Sequence, residues 1–580
     1  MKTSLKRSAK WILLACVSCA TLQAKPLLNL KDLESKPKGI VRDFYIWEFI
    51  GDKDTSLTDS IKAFKLAFIE SPKLKAALHA KGYHEEIPKN LKCAKLTLAE
   101  LIKQDSECIV FGLKLAEVPN MNAATLAIIE KKLSQNSMAD SASTSGGVLS
   151  KDSSTTTPAS TLPAQAPNLL KKIRILRAPN IAQAMFASDA QIFAEIFNAL
   201  PYKQKLAIFA QHINSKSLQK LANENKHAFN RVLQSIILDN SFASFKKALA
   251  HANITRSDSA TFFLLGINEI MLGGAKSRAL EYFERSRNTA IDPFYKDRAI
   301  FWQYLVSGSR AFLHDLQLST FVDVFSIYAN QQLKTTPNYK IVSGFDGLVV
   351  KKPPLDISDP FAWQIARDGI GAIKDPKLYE EATTKFYTPA TIPHLAHFSN
   401  RITKYSTNYY IMPYVDLVQW RDDDQKAMAL AIAKQESHFV PALVSRSYAL
   451  GMMQIMPFNL EPFAKKLGIK QDITLEDLFK PEFAYTFGTM FLEELNDEFK
   501  HPLFVAYAYN GGPGFWRRTL EKKRLFLKNR KYEPWLSLEL IANEEPRFYG
   551  MKVIANYIVY QELLGHKVDL ESLLKQTLRY

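Results

Sequence analysis

Residues Asp424 to Pro457 read DQKAMALAIAKQESHFVPALVSRSYALGMMQIMP, and this stretch decides the reading of the chain. Its first part is an apolar run that predicts a helix ending near Ser437, with Asp422, Asp423 and Asp424 supplying the acidic start that suits a helix N-terminus. Met428, Ile432 and Glu436 stand at i, i+4 and i+8, so a carboxyl continues the apolar face. A glutamate placed there loses solvation, which raises its pKa and keeps it protonated near neutral pH. A protonated carboxyl in a partly apolar pocket has the properties of a general acid. Taken alone, a glutamate on a helix is more often a surface or ion-paired residue. The segments around it have to decide.

The second part of the stretch is a glycine-led box, Gly451-Met452-Met453-Gln454-Ile455-Met456-Pro457. It sets bare backbone beside Gln454, an amide that both donates and accepts, and Met456, an adaptable apolar floor. Further on, Ala506 to Gly514 reads AYAYNGGPG, where Tyr509 and Asn510 offer stacking and amide contacts beside a sharp Gly-Gly-Pro-Gly turn. Glu545-Pro546-Arg547-Phe548-Tyr549 then precedes an amphipathic helix expected from Val553 to Leu564. Any one of these boxes is compatible with ordinary core or surface. Glu436-Ser437, the GMMQIMP box, the AYNGGPG box and Glu545-x-Arg547-x-Tyr549 together, in that order, resemble the soluble lytic murein transglycosylases, bacterial cell-wall enzymes with a goose-type lysozyme-like catalytic domain. The resemblance covers roughly Tyr409 to Leu564 and includes Pro481-Glu482 and Gly488-Thr489.

The resemblance implies that Glu436 is the catalytic acid and base. It implies that Ser445, Gln454 and Met456 line the cleft near the reacting sugar, with Tyr509 and Asn510 from the third box. Tyr549, from the fourth, is expected close to the catalytic carboxyl, and Glu545 and Arg547 are expected to support the site rather than touch substrate. Tyr448 stands where the family usually has glycine and Leu450 where a small residue is common, so the loop's shape is open at those two positions. Glycosidases generally use two carboxyl groups. The resemblance implies no second catalytic acid in these boxes, and Asp472, Glu476 and Asp477 read as a polar surface stretch. The implied reaction therefore cleaves the β-1,4 bond between N-acetylmuramic acid and N-acetylglucosamine without water and leaves a 1,6-anhydromuramoyl end. A hydrolytic lysozyme on the same fold and a non-catalytic helical-repeat envelope scaffold are the alternatives. No cofactor and no metal are called for; the partner is the peptidoglycan glycan strand, and oligomeric state is not legible.

Around this core the expected fold class is mainly α: an α-superhelical, solenoid-like region followed by a lysozyme-like α catalytic domain. Residues 1–24 read as a signal peptide, with Lys2, Lys6, Arg7 and Lys10 before an apolar run too short to span a bilayer. The location expected is the periplasm. Leu13-Leu14-Ala15-Cys16 resembles a lipobox, so outer-membrane association follows only if Cys16 carries a lipid; free secretion is preferred because only five apolar residues precede that cysteine. An N-terminal helical segment is expected over 25–133, without evident chemistry. Residues 134–167, rich in Ser, Thr, Ala, Gly and Pro, cannot bury enough apolar surface to offset chain entropy and read as a flexible linker. Amphipathic helices follow over 168–330, including a pair joined at Gly273-Gly274 whose Ala279-Leu280-x-Tyr282-Phe283 spacing is similar to tetratricopeptide packing. A connecting domain over 331–404 and a catalytic domain over 405–580 complete the chain. Cys93 and Cys108 are an even pair in an exported chain, which favours a disulfide. The net charge of +17 suits a polyanionic partner. Export argues against nucleic acid, and no GxSxG, HExxH or Walker-type loop is present.

Overall fold

The structure is a computed structural model that describes residues 28–84, 88–139, 162–470 and 472–580. The leader read over 1–24, Cys16 included, and the central part of the expected linker lie outside the described residues. Helices dominate; among the described residues the only strands are Lys340–Val342 and Thr407–Tyr409, which pair in parallel with Lys340 opposite Thr407 and Val342 opposite Tyr409. No described helix is long and apolar enough to cross a membrane.

The chain forms two compact units. One joins the chain up to Tyr83 with Leu313–Tyr580, and the other is His84–Phe312. The segment expected over 25–133 is thus shared between both. Helices Ala123–Ala139 and Leu162–Leu176 reach into the stretch expected as linker, the second anchored by buried Leu169, Leu170 and Ile173. Within His84–Phe312, Cys93 and Cys108 form a disulfide that ties helix Lys89–Lys95 to helix Ser106–Gly112. Beyond Ile181 the helices pack on others one to three places away in the chain. A stack of rings from Phe186, Phe193, Phe197, Phe209, Phe229 and Phe245 fills the seam, with centroids from 5.0 to 6.4 Å apart. Ser259–Met271 and Lys276–Thr289 flank the expected tight turn, and Pro293–Ser307 continues the stack. This neighbour-on-neighbour burial is solenoid packing.

The other unit is built around α2, using α1 for Ile40–Gly51, α2 for Asp423–Ser437, α3 for Pro481–Phe499, α4 for Pro502–Gly511 and α5 for Glu544–Leu563. Asp422 caps α2 by accepting from the Gln425 N–H at 2.8 Å, as the acidic start predicts. Residues Ala427 to Ala433 are buried on every side, so α2 is a core helix rather than a surface one. Helix α5 lies along it. At one end Gln561 Nε2 donates to Asp424 Oδ1 at 3.0 Å and the Tyr557 hydroxyl donates to the same oxygen. At the other end α5 meets Glu436.

Helix α5 begins nine residues earlier than the sequence reading placed it. Pro546 falls in its first turn, where the missing N–H costs no helical bond. Gly550 then allows α4 close: a Cβ there would sit 2.2 Å from Tyr507 Cε1. The connecting region 331–404 contributes helix Pro360–Ala372 and a small core of Trp363, Ile370, Tyr379, Phe386, Leu395 and Phe398. Val440 and Ala442, just past α2, complete that core.

Candidate active site

Glu436 occupies the last turn of α2, and the chain then turns sharply away. His438 and Phe439 both adopt left-handed backbone, φ 50° and 66°, and the His438 N–H closes the helix on the Lys434 carbonyl at 3.1 Å. The next residue after the glutamate, Ser437, is buried and donates to the Met452 carbonyl at 2.7 Å. That bond fastens the glycine-led box to the end of α2. Gly451 within the box has φ 73°, and a Cβ there would lie 1.9 Å from the Leu478 carbonyl oxygen, so only glycine fits. Leu450 pairs with both Val444 and Ile455, folding the box back on itself.

The glutamate opens into a cavity of about 480 Å³ lined by Gln435, Glu436, Asn510, Glu544, Glu545, Phe548, Tyr549 and Lys552. The Tyr549 hydroxyl donates to Glu436 Oε1 at 2.6 Å. Burial pushes the Glu436 carboxyl up to about 7; the Tyr549 bond pulls it down and the nearby Glu545 charge pushes it further up. Burial is the largest of the three causes, as the apolar-face placement implied. The Tyr549 hydroxyl is itself buried, and its pKa is raised by burial and then by the Glu436 charge, so it stays a donor.

The other expected site residues take different positions. Asn510 lines the cavity and donates to Glu545 Oε1 at 3.2 Å. Tyr509 is close enough to Glu436 to feel its charge, and its hydroxyl donates to the Met453 carbonyl at 2.7 Å, a second tie between the box and the site. Gln454, at φ 49°, turns its amide back to donate to the Gly451 carbonyl at 2.7 Å. Ser445 Oγ accepts from the Ala449 N–H at 2.9 Å. Met456 is half-buried at the start of the turn Pro457–Asn459.

Two expectations need correction. Asp477 is buried, where it caps the turn Leu475–Phe479 by accepting from Thr474 N at 2.8 Å; Glu476 is half-buried and accepts from the Tyr45 hydroxyl at 3.0 Å. Only Asp472 of that stretch is exposed. Tyr45, far upstream in the chain, reaches Glu476, a contact that no local pattern announces. The second correction is that Glu436 is not the only acid in the cleft, since Glu544 and Glu545 line it too. Both are exposed, on the first turn of α5. Arg547, expected beside Glu545, is buried and donates to the Ile541 and Ala542 carbonyls at 2.7 and 3.1 Å. Phe548 and Lys552 were not foreseen. Residues 544, 548 and 552, and 545 and 549, are i, i+4 partners on one face of α5, a periodicity visible once the helix is started at Glu544.

A buried carboxyl with a raised pKa and a hydroxyl donor, set at the wall of an open cleft in a mainly helical unit, has the properties a general acid requires. Residues 414–531 match the family model described as Transglycosylase SLT domain, and the chain carries that domain. It is similar to the soluble lytic murein transglycosylase of Salmonella typhimurium, 31% identical over 153 residues that make up 26% of this chain and 23% of the relative. It is also similar to a putative soluble lytic murein transglycosylase of Haemophilus influenzae, 36% identical over 143 residues, 24% of this chain and 23% of the relative. The chain thus spans about a quarter of the length of these curated relatives. Among solved structures, the 70 kDa soluble lytic transglycosylase from Escherichia coli aligns over 95% of this chain and 85% of that one, with 18% identity and a TM-score of 0.44.

Proposed function

We propose that the chain is a lytic transglycosylase that cleaves the β-1,4 bond between N-acetylmuramic acid and N-acetylglucosamine in peptidoglycan, working in the periplasm on glycan strands. The observation that carries this reading is Glu436, held protonated to about pH 7 by burial and touched by Tyr549 at the wall of an open polar cleft. The names of the relatives that share the domain support it.

In this reading Glu436 donates its proton to the bridging oxygen as the glycosidic bond breaks. The muramic acetamide stabilises the oxocarbenium-like centre. The Glu436 carboxylate, steadied by the Tyr549 hydroxyl, then takes the proton of the muramic C6 hydroxyl while that oxygen bonds to C1. No water is consumed, and Glu436 ends protonated, ready for the next turn. Asn510 and Tyr509 serve as sugar contacts and wall, and Ser445, Gln454 and Met456 shape the facing side of the cleft.

Glu545, which with Glu544 adds carboxyls to the cleft lining, gives the hydrolytic reading its support. Its exposure and its bond from Asn510 fit a charge that tunes Glu436 better than a desolvated base. Digestion of purified peptidoglycan followed by mass analysis decides between the two. Anhydro ends, lighter by one water than hydrolysis products, are expected; reducing ends would establish a lysozyme instead.

A further inference from the structure

The loop Ser445–Gly451, which the resemblance implies lies on one side of the cleft, is held by a part of the chain far upstream. Tyr448 has φ 58°, left-handed backbone that favours glycine, the residue the resemblance implies at this position. A tyrosine there accepts backbone strain, and the return is visible in what its side chain touches. The ring is buried against Phe44, edge-on at 6.0 Å between centroids, and against Trp47 at 5.8 Å, both from α1. Its hydroxyl lies 3.3 Å from Ser71 Oγ. The Lys73 ammonium sits over the ring at 5.3 Å and donates to the Ser447 carbonyl. All four partners come from the segment 28–83.

The same segment grips the other wall of the box. Tyr45 donates to Glu476, and Phe44 packs edge-on against Phe479 at 6.4 Å. Both acceptor and ring belong to the turn Leu475–Phe479, whose Leu478 carbonyl closes on Gly451. Inside the loop, Tyr448 N–H donates to the Ser445 carbonyl at 2.9 Å and Ser445 N–H to the Ala449 carbonyl at 3.0 Å. The box that follows is bonded through Met452 and Met453 to Ser437 and Tyr509, the neighbours of Glu436.

We propose that Tyr448 is a positioning residue through which segment 28–83 holds the cleft loop Ser445–Gly451 in its glycan-binding shape. This rests on the glycan-cleaving reading above. Tyr448 makes no contact with Glu436 or Tyr549 in the bonds described, so its effect falls on substrate binding and not on proton transfer.

The test uses the full chain with Tyr448→Gly, Tyr448→Phe and Trp47→Ala, peptidoglycan glycan strands as substrate, and three readouts: KM and kcat, calorimetric Kd for a glycan fragment, and limited proteolysis within 28–83. Glycine suits the backbone, so Tyr448→Gly is expected to keep the loop's hydrogen bonds but free the segment. KM and Kd should rise about tenfold with kcat within about twofold, and protease cuts should appear in 28–83. Tyr448→Phe, which keeps the ring, should stay near wild type. Trp47→Ala, which leaves the loop sequence intact, should raise KM in the same direction, and it decides the matter if the glycine variant does not fold. Release of the segment with unchanged KM and Kd overturns the proposal, as does a loss confined to kcat. A wild-type chain that binds glycan but cleaves none overturns the catalytic reading alone, because the Kd shift still reports on Tyr448.

Discussion

Glu436 combines three influences that can be separated by substitution. Its carboxyl sits near 7 instead of its usual 4.5, chiefly through burial. Activity that needs the protonated form should therefore fall about tenfold per pH unit above roughly pH 7. Glu436→Gln should lower turnover by about 10²–10⁴-fold, read as the rate of anhydro-end formation. The same shift bears on stability. The native state holds the proton more tightly than the unfolded chain, so stability falls as pH rises from about 4.5 to about 7 and stays lower above that. The loss amounts to about 3 kcal/mol. Glu436→Gln removes this titration, and its melting temperature should exceed that of wild type at pH 8, with the gap closing below pH 4.5. The two neighbours act in opposite directions. Tyr549→Phe removes the bond that favours the carboxylate and should move the alkaline limb of the pH–rate profile to higher pH. Glu545→Gln removes a repelling charge and should move it to lower pH. A profile unmoved by both changes would show that the limb belongs to another group.

At the scale of elements, the site depends on α2 and α5 lying in register, because Glu436 is on one and Tyr549 on the other. The register is fixed at the far end by Tyr557 and Gln561 on Asp424, and in the middle by Asn556 Nδ2 on the Ala431 carbonyl at 3.4 Å. It is fixed at the near end by the packing of α4 on α5 at Gly550. Gly550→Ala forces a methyl into the Tyr507 ring. It should destabilise the unit by about 1–3 kcal/mol through overpacking. It should also lower kcat at pH 6, since any shift of α5 lengthens the Tyr549–Glu436 bond. Denaturant melts and initial rates on the same preparation check both outcomes. A loss of stability with wild-type kcat would show that α5 does not carry the site's geometry.

At the scale of the whole molecule, the two units are stabilised differently. The unit holding Glu436 is discontinuous in sequence, with Phe44 packed on Tyr448 and on Phe479. The unit His84–Phe312 has helix-on-helix seams and the Cys93–Cys108 disulfide, whose partners are separated by 15 residues in sequence. A loop of that length contributes about 3 kcal/mol by restricting the unfolded chain. Replacing both cysteines by serine should lower the melting transition of that unit in calorimetry, and wild type under reducing conditions should match the variant. The net charge of +17 suits an acidic partner, so under the proposed function binding to peptidoglycan should weaken as salt rises.

The sequence alone determined what depends on neighbours a few residues away. The spacing of Met428, Ile432 and Glu436 placed the carboxyl on a buried face, and the acidic cap fixed where α2 starts. The ordered boxes named Glu436 and Tyr549, and the solenoid helices were visible in their apolar stripes. Tertiary structure decided what depends on contacts between distant residues. Glu476 reads as surface because Tyr45, which donates to it, lies far upstream. Tyr448 looked like a flaw in a glycine position until Phe44 and Trp47 were found around its ring. The first turns of α5, ahead of the helix start expected at Val553, carry Glu545, Phe548 and Lys552 into the cleft. Periodicity reports which face of a helix is apolar, but which surface covers that face is set by long-range packing that no local pattern encodes.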